Sequence, residues 1–201
     1  MTRRGVLRHL SKWSGWGFTN DEDNRVKTSS LKKFSKTETE TETSAENRTP
    51  PSLQMYLETI YYKTRERLEL INITRDVNEV VKKHGMKAGF VIVQSLHTTT
   101  AIFINEFQQA LLDDIKSFLE RLVGRIDYWR HNDPDLSECS RKNADSHLRA
   151  MVLGHTLSLP VRNGEVALGY WQSVILAELD GPRERAVQIQ VLGITEAPES
   201  K

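Results

Sequence analysis

Phe90-Val91-Ile92-Val93-Gln94-Ser95-Leu96-His97-Thr98-Thr99-Thr100-Ala101-Ile102-Phe103-Ile104 is the stretch on which the fold turns. Phe90–Leu96 and Thr99–Ile104 read as two strands, because β-branched and aromatic side chains fit a pleated, half-buried surface. A histidine and three hydroxyls interrupt them. Threonine is at home in a strand, but strand formation gains nothing from histidine.

Upstream of this block, Leu57–Lys63 and Arg67–Thr74 read as short strands, and Thr64-Arg65-Glu66 between them predicts a hairpin. Thr74 and Asp76 favour a helix start, Val77, Val80 and Val81 supply its apolar stripe, and His84-Gly85 closes it. Downstream, Phe107, Leu111, Ile115, Phe118, Leu119 and Leu122 recur at helical spacing, so a long amphipathic helix is expected over Phe107–Val123. The polar stretch Ile126–Lys142 is a loop of a length more often functional than decorative. Asn143 is expected to cap a helix running to Leu153 and stopped by Gly154. Leu157–Val161 and Glu165–Leu168 flank a turn at Asn163-Gly164. Trp171–Glu178 and Arg185–Thr195 complete the strands, with Val187, Ile189 and Val191 alternating against Gln188 and Gln190. Strands and helices do not alternate strictly. The expected class is therefore α+β, a single compact domain with a mixed or antiparallel sheet and a few helices.

Composition sets the outer bounds. The chain has 201 residues, 28 Lys and Arg against 27 Asp and Glu, and one cysteine, Cys139. Near-neutral charge argues against a dedicated nucleic-acid binder, which needs surplus cations for phosphate. A lone cysteine excludes an internal disulfide framework. No apolar run reaches the roughly 18 residues of a membrane span, so the expectation is a cytoplasmic protein that uses neither nucleic acid nor membrane. Residues 1–52 differ from the rest, with the run Thr37-Glu38-Thr39-Glu40-Thr41-Glu42-Thr43 and little apolar periodicity. That composition reads as a disordered extension ahead of a domain over 53–201. Residues 1–20 carry Arg3, Arg4, Arg8 and Lys12 and no acid, which reads either as a nonfunctional extension or as an organelle transit peptide.

Polar residues cluster at element ends in three places: Ser95 to Thr100 with Asn105-Glu106, Tyr128 to Asp133, and Asn143 to His147. Imidazole suits zinc or another borderline metal. His97, His131 and His147 lack the short spacing of a helical metal motif, and His9, His84 and His155 read as ordinary surface or core residues. Asp145-Ser146 reads as ordinary capping. In Glu178-Leu179-Asp180-Gly181-Pro182-Arg183, Asp-Gly-Pro signals a turn. That turn is either a plain hairpin with Arg183 in solvent, or it offers the Arg183 guanidinium to phosphate.

Read together, these pieces resemble the YjbQ-like family, also described as secondary thiamine-phosphate synthase. The resemblance rests on Ser95-Leu96-His97-Thr98-Thr99, Ile104-Asn105-Glu106, Tyr128 with His131-Asn132, and Asn143 with Ser146-His147-Leu148. It continues through Leu153-Gly154, Pro160-Val161, Leu168-Gly169 with Trp171-Gln172, and Glu178 to Arg183, so it covers nearly all of the domain. It implies a compact α+β domain assembling as homotrimers, each protomer with a histidine-rich pocket. It also implies a weak ability to make thiamine phosphate from a pyrimidine diphosphate and a thiazole phosphate. Tyr170, where the family usually has threonine, and the long Asp135–Lys142 loop bear on substrate choice.

Joined to the residues, the resemblance yields a mechanism. His97, His131 and His147, directly or through a divalent ion such as zinc or magnesium, would neutralise the departing diphosphate. Arg183, Thr98 and Thr99 would hold phosphate, Trp171 would flank the heterocycle, and Glu106 would act as base or orient an imidazole. Two alternatives accompany it. One is a non-catalytic trimeric protein that binds metal or an anionic metabolite; the other is a phosphate-ester hydrolase using the same histidines.

Overall fold

In the computed structural model, which describes residues 53–195, the chain runs β1 (Leu53–Lys63), β2 (Glu69–Asn72), α1 (Thr74–Lys83), β3 (Met86–Ser95) and β4 (Thr100–Asn105). It continues through α2 (Gln109–Leu122), α3 (Ala144–Leu153), β5 (Thr156–Arg162), β6 (Glu165–Val166), β7 (Ser173–Glu178) and β8 (Glu184–Thr195). The strands form two antiparallel sheets, one ordered β1-β8-β3-β5-β6 and the other β2-β7-β4. The class is α+β, as expected. The extension expected over residues 1–52 lies outside the described residues.

The hydrophobic pattern explains the layering. β7 has Val174, Ile175, Leu176 and Ala177 all fully buried, the continuous apolar run of a strand covered on both faces. Val174 and Leu176 face the larger sheet and meet Val91, Val93, Val187, Ile189 and Val191. Ile175 and Ala177 face Leu112 and Leu119 of α2 and Ala150 of α3. The small sheet is thus the middle layer, with a core on each side. Each large aliphatic side chain sealed there contributes about 1.5–3 kcal/mol over its exposed state. α1 closes one edge of the first core through Val77, Val80 and Val81, and Tyr56 of β1 stacks on His84 at 4.1 Å.

Two expected hairpins do not form. The strands flanking Thr64-Arg65-Glu66 belong to different sheets, since β1 pairs β8 while β2 pairs β7. Thr64 is buried; its backbone N–H donates to the Arg183 carbonyl, and its hydroxyl oxygen accepts the Arg183 N–H. The segment is therefore a corner between layers. The same holds for Asp180-Gly181-Pro182, because β7 and β8 also lie in different sheets. The two corners pack so closely that a Cβ on Gly181 would stand 2.2 Å from the Glu66 carbonyl oxygen. Only glycine permits that approach. The turn at Asn163-Gly164 does form, both residues adopting positive φ as a tight two-residue hairpin loop requires.

Candidate functional site

The paired corners gather the polar residues of the domain. Glu178 ends β7 with its carboxylate facing the larger sheet, where Arg185 of β8 donates to both oxygens at 2.5 Å. Both side chains are sealed from solvent. Arg185 also donates to the Thr99 hydroxyl at 3.1 Å, and the Thr64 hydroxyl donates to Glu178 at 3.0 Å.

Two residues on, Asp180 is equally buried and collects donors from three directions. Arg67 Nη1 approaches at 2.8 Å, Arg141 Nε at 2.7 Å and Asn143 Nδ2 at 2.8 Å. Burial alone would push the Asp180 carboxyl up, but the Arg141 and Asn143 hydrogen bonds and the Arg141 and Arg67 charges outweigh it. The carboxyl is held below its usual range.

Asp145, in the first turn of α3, takes the other arm of Arg67 at 3.1 Å and lies 3.6 Å from Arg149 Nη1. Counted together, the buried carboxylates Asp145, Glu178 and Asp180 face Arg67, Arg141, Arg149, Arg183 and Arg185. Cations outnumber anions.

The histidines approach this corner from two sides. His97 sits in the link from β3 to β4, which the paired hydroxyls of Ser95 and Thr100 hold shut. Its Nε2 accepts the Ala186 N–H at 2.9 Å, which puts the proton of the neutral ring on Nδ1. Burial and the Arg185 and Arg183 charges hold its imidazole below the usual range, against the pull of Glu178.

His131 and His147 meet edge to face with ring centroids 5.0 Å apart. His131 belongs to a 3-10 turn, Arg130–Asn132, within the long loop. The loop docks there because Asn132 Oδ1 accepts the Ala144 N–H at the start of α3. His147 is likewise held low by burial and by His131, against Asp180 and Asp145.

Other expected site residues fall in different places. Thr99 is buried under Arg185, while Thr98 is exposed and makes no hydrogen bond within the described residues. Arg183 is partly exposed, 4.0 Å from Asp180, and its backbone rather than its side chain ties it to Thr64. Glu106 and Trp171 are elsewhere. The β4–β7 register pairs Thr100 with Glu178 and Asn105 with Ser173, so both residues lie beyond the opposite end of the small sheet. Five strand steps, about 17 Å, separate the two ends. There Trp171 is 66% exposed and meets Tyr170 edge to face. Within one chain, Glu106 and Trp171 do not reach the histidines.

Capping at α3 also differs from expectation. Asn143 makes no side-chain cap hydrogen bond: its Nδ2 donates to Asp180 and its Oδ1 accepts from the Cys139 thiol, while Asn132 from the loop accepts the Ala144 N–H. Asp145 is an ion-pair centre and Ser146 donates to the Leu179 carbonyl at 2.5 Å.

Sequence reading passed over Arg67, Arg141 and Arg185. The one signal for them was Glu178 and Asp180 closing an otherwise apolar run, since buried carboxylates demand cations. Among the described residues no three His, Cys, Asp or Glu side chains stand close enough to share a metal ion. None of the helices there is long and apolar enough to cross a membrane. Paired imidazoles beside guanidinium groups are donor types whose chemistry matches an oxyanion.

Residues 58–194 match the family model described as UPF0047 protein YjbQ-like. A UPF0047 protein of Methanothermobacter thermautotrophicus is 44% identical over 70% of this chain and 94% of its own length. The UPF0047 protein YugU of Bacillus subtilis is 32% identical over 68% of this chain and 99% of its own. Among solved structures, a YbjQ-like protein of unknown function from Sulfolobus solfataricus superposes with a TM-score of 0.66 at 36% identity. That alignment covers 71% of this chain and 99% of that one.

Proposed function

This chain belongs to the YjbQ-like (UPF0047) family, and on that premise we propose that it joins a pyrimidine diphosphate to a thiazole phosphate, forming thiamine phosphate. The thiazole nitrogen attacks the methylene carbon of the pyrimidine. The carbon–oxygen bond breaks, and its electron pair leaves with the diphosphate. No oxidant or reductant is needed. The demand on the protein is stabilisation of charge on the bridging oxygen.

The observation that carries this reading is the excess of guanidinium groups at the Glu178–Arg185 corner with His131 and His147 beside it. Arg183 and the free hydroxyl of Thr98 would hold phosphate. A ring N–H of His131 or His147 would meet the departing oxygen. His97, with Nε2 occupied by a backbone N–H, would act through Nδ1. A divalent ion, zinc or magnesium, belongs to this reading as a cofactor. Among the described residues the donors do not form a three-ligand set, so no step here is routed through it.

Assembly as a homotrimer is part of the proposal. Leu53, Met55, Leu57, Tyr61 and Phe90 are all more than half exposed on the outer face of the larger sheet, an apolar surface of the kind that neighbouring copies cover. A neighbouring copy could then supply the Glu106 and Trp171 that one chain keeps apart from its own histidines.

A second reading, a non-catalytic trimer binding an anionic metabolite or metal, draws on that same separation, since the carboxylate expected as base stands away from the corner. Turnover and equilibrium binding of the two thiamine precursors, measured together, decide between them. Thiamine phosphate formation that falls in His147→Ala supports the synthase. Saturable binding without turnover supports the binder, and phosphate release without carbon–nitrogen bond formation supports a hydrolase.

A further inference from the structure

Two of the arginines counted at the corner, Arg67 and Arg149, also face a cleft that the histidines do not line. The cleft, of about 320 Å³, opens between the end of α2 and the start of α3, lined by Arg67, Arg125 and Arg149 with Leu68 and Ile126 beside them. Asp180, His131 and His147 do not line it. Three guanidinium groups converging on one cleft repel one another unless something anionic lies between them.

The carboxylates present do not serve that purpose fully. Asp145 is engaged by Arg67 at 3.1 Å and sits 3.6 Å from Arg149. Glu120 also lines the cleft, on the exposed face of α2, and forms no ion pair among the described residues. Arg149 is itself only 4% exposed, and its Nε and Nη2 are spent on the Val123 carbonyl. Its Nη1 has no hydrogen-bond partner among the described residues, and Arg125 has no acidic partner there at all.

We infer that this cleft binds a phosphate group, free or as the monoester of a short carbon skeleton, between Arg125, Arg149 and Arg67. Guanidinium groups present paired donors that match a phosphate, and Leu68 and Ile126 offer apolar surface to a carbon chain beside it. The site is distinct from the proposed catalytic corner, yet it touches it. Arg67 holds Asp145 at the cleft with one arm and Asp180 at the corner with the other.

Calorimetric titration of the full chain with inorganic phosphate, and in parallel with glycerol 3-phosphate, tests the inference. Arg183→Ala weakens the phosphate contact proposed at the corner, so binding that survives in that variant and falls further when Arg125 is changed belongs to the cleft. Arg125 is exposed, and Arg125→Glu leaves the fold intact, as circular dichroism would verify. In the Arg183→Ala background it should weaken phosphate binding by about tenfold or more. Arg125→Lys should restore most of the loss, and Glu120→Gln should tighten binding by removing an opposing charge. A monoester that binds more tightly than free phosphate identifies a metabolite as the natural ligand; equal affinity identifies phosphate itself. Absence of binding at millimolar phosphate, loss of all binding in Arg183→Ala alone, or indifference to Arg125→Glu would each overturn the site.

Discussion

Arg185 holds Glu178 through two hydrogen bonds of 2.5 Å with both side chains out of reach of water, and this pair joins the two sheets at the corner where the polar residues of the domain gather. A charge pair in such a place gains little over well-packed apolar residues, but breaking it strands a charge.

Arg185→Met should therefore destabilise the domain by about 3–5 kcal/mol, and Arg185→Met with Glu178→Gln should recover part of that loss. Denaturant unfolding of the single and double variants measures both. A single variant as stable as the parent would mean that Glu178 finds another cation or becomes protonated at no cost.

Stability should fall as the solution is acidified below the ordinary imidazole range. His97 and His147 are both held low, mainly by burial. Between those depressed values and an unfolded value near about 6.5, the unfolded chain binds more protons than the folded one. The stabilisation is complete above that unfolded value and is lost as pH drops through the folded ones. Asp180, also held low, repeats the pattern in the carboxylate range. Melting temperatures from about pH 2.5 to 8, a span that reaches below the ordinary carboxylate value as well as the imidazole one, test this. His147→Gln should flatten the upper part of the decline, and an unchanged slope would count against the assignment.

Gly181→Ala should lower stability by about 1–3 kcal/mol through overpacking. Its Cβ would meet the Glu66 carbonyl oxygen at 2.2 Å and the Glu178 Cγ at 2.8 Å, both on a corner that holds charged groups. Thermal unfolding reads the cost. A drop in binding of the phosphorylated precursors larger than in an equally destabilised core variant would show that the corner geometry also serves the site.

Arg183→Ala should leave folding nearly unchanged, because the side chain is partly exposed and only 4.0 Å from Asp180. If Arg183 holds substrate phosphate, KM for the pyrimidine diphosphate should rise by about tenfold, with a smaller effect on kcat. An unaltered KM would remove Arg183 from the site.

Trp171→Ala should change stability by less than about 0.5 kcal/mol, as expected for an exposed side chain. Should the assembled protein use Trp171 of a neighbouring copy against the heterocycle, precursor affinity would fall in the same variant. Sedimentation and binding measurements made together separate the two effects.

Much of this molecule was legible from residue order alone. Apolar periodicity located α1, α2 and α3 to within a residue or two, and β-branched runs located the strands, because those signals depend on near neighbours along the chain. The motif from Ser95 to Arg183 likewise indicated the family. Pairing was decided by tertiary structure: Thr64-Arg65-Glu66 and Asp180-Gly181-Pro182 look like hairpin turns but are corners between sheets, locked by contacts such as Thr64 to Glu178 across 114 residues. The same holds for the charges. Asp180 is satisfied by Arg67, 113 residues away, and by Arg141, 39 away, and no local pattern names either partner. Strand direction likewise took Glu106 to the far end of β4 from Thr100. Local propensity is written in short windows of sequence, whereas the neutralisation of a buried charge is settled only when distant segments meet.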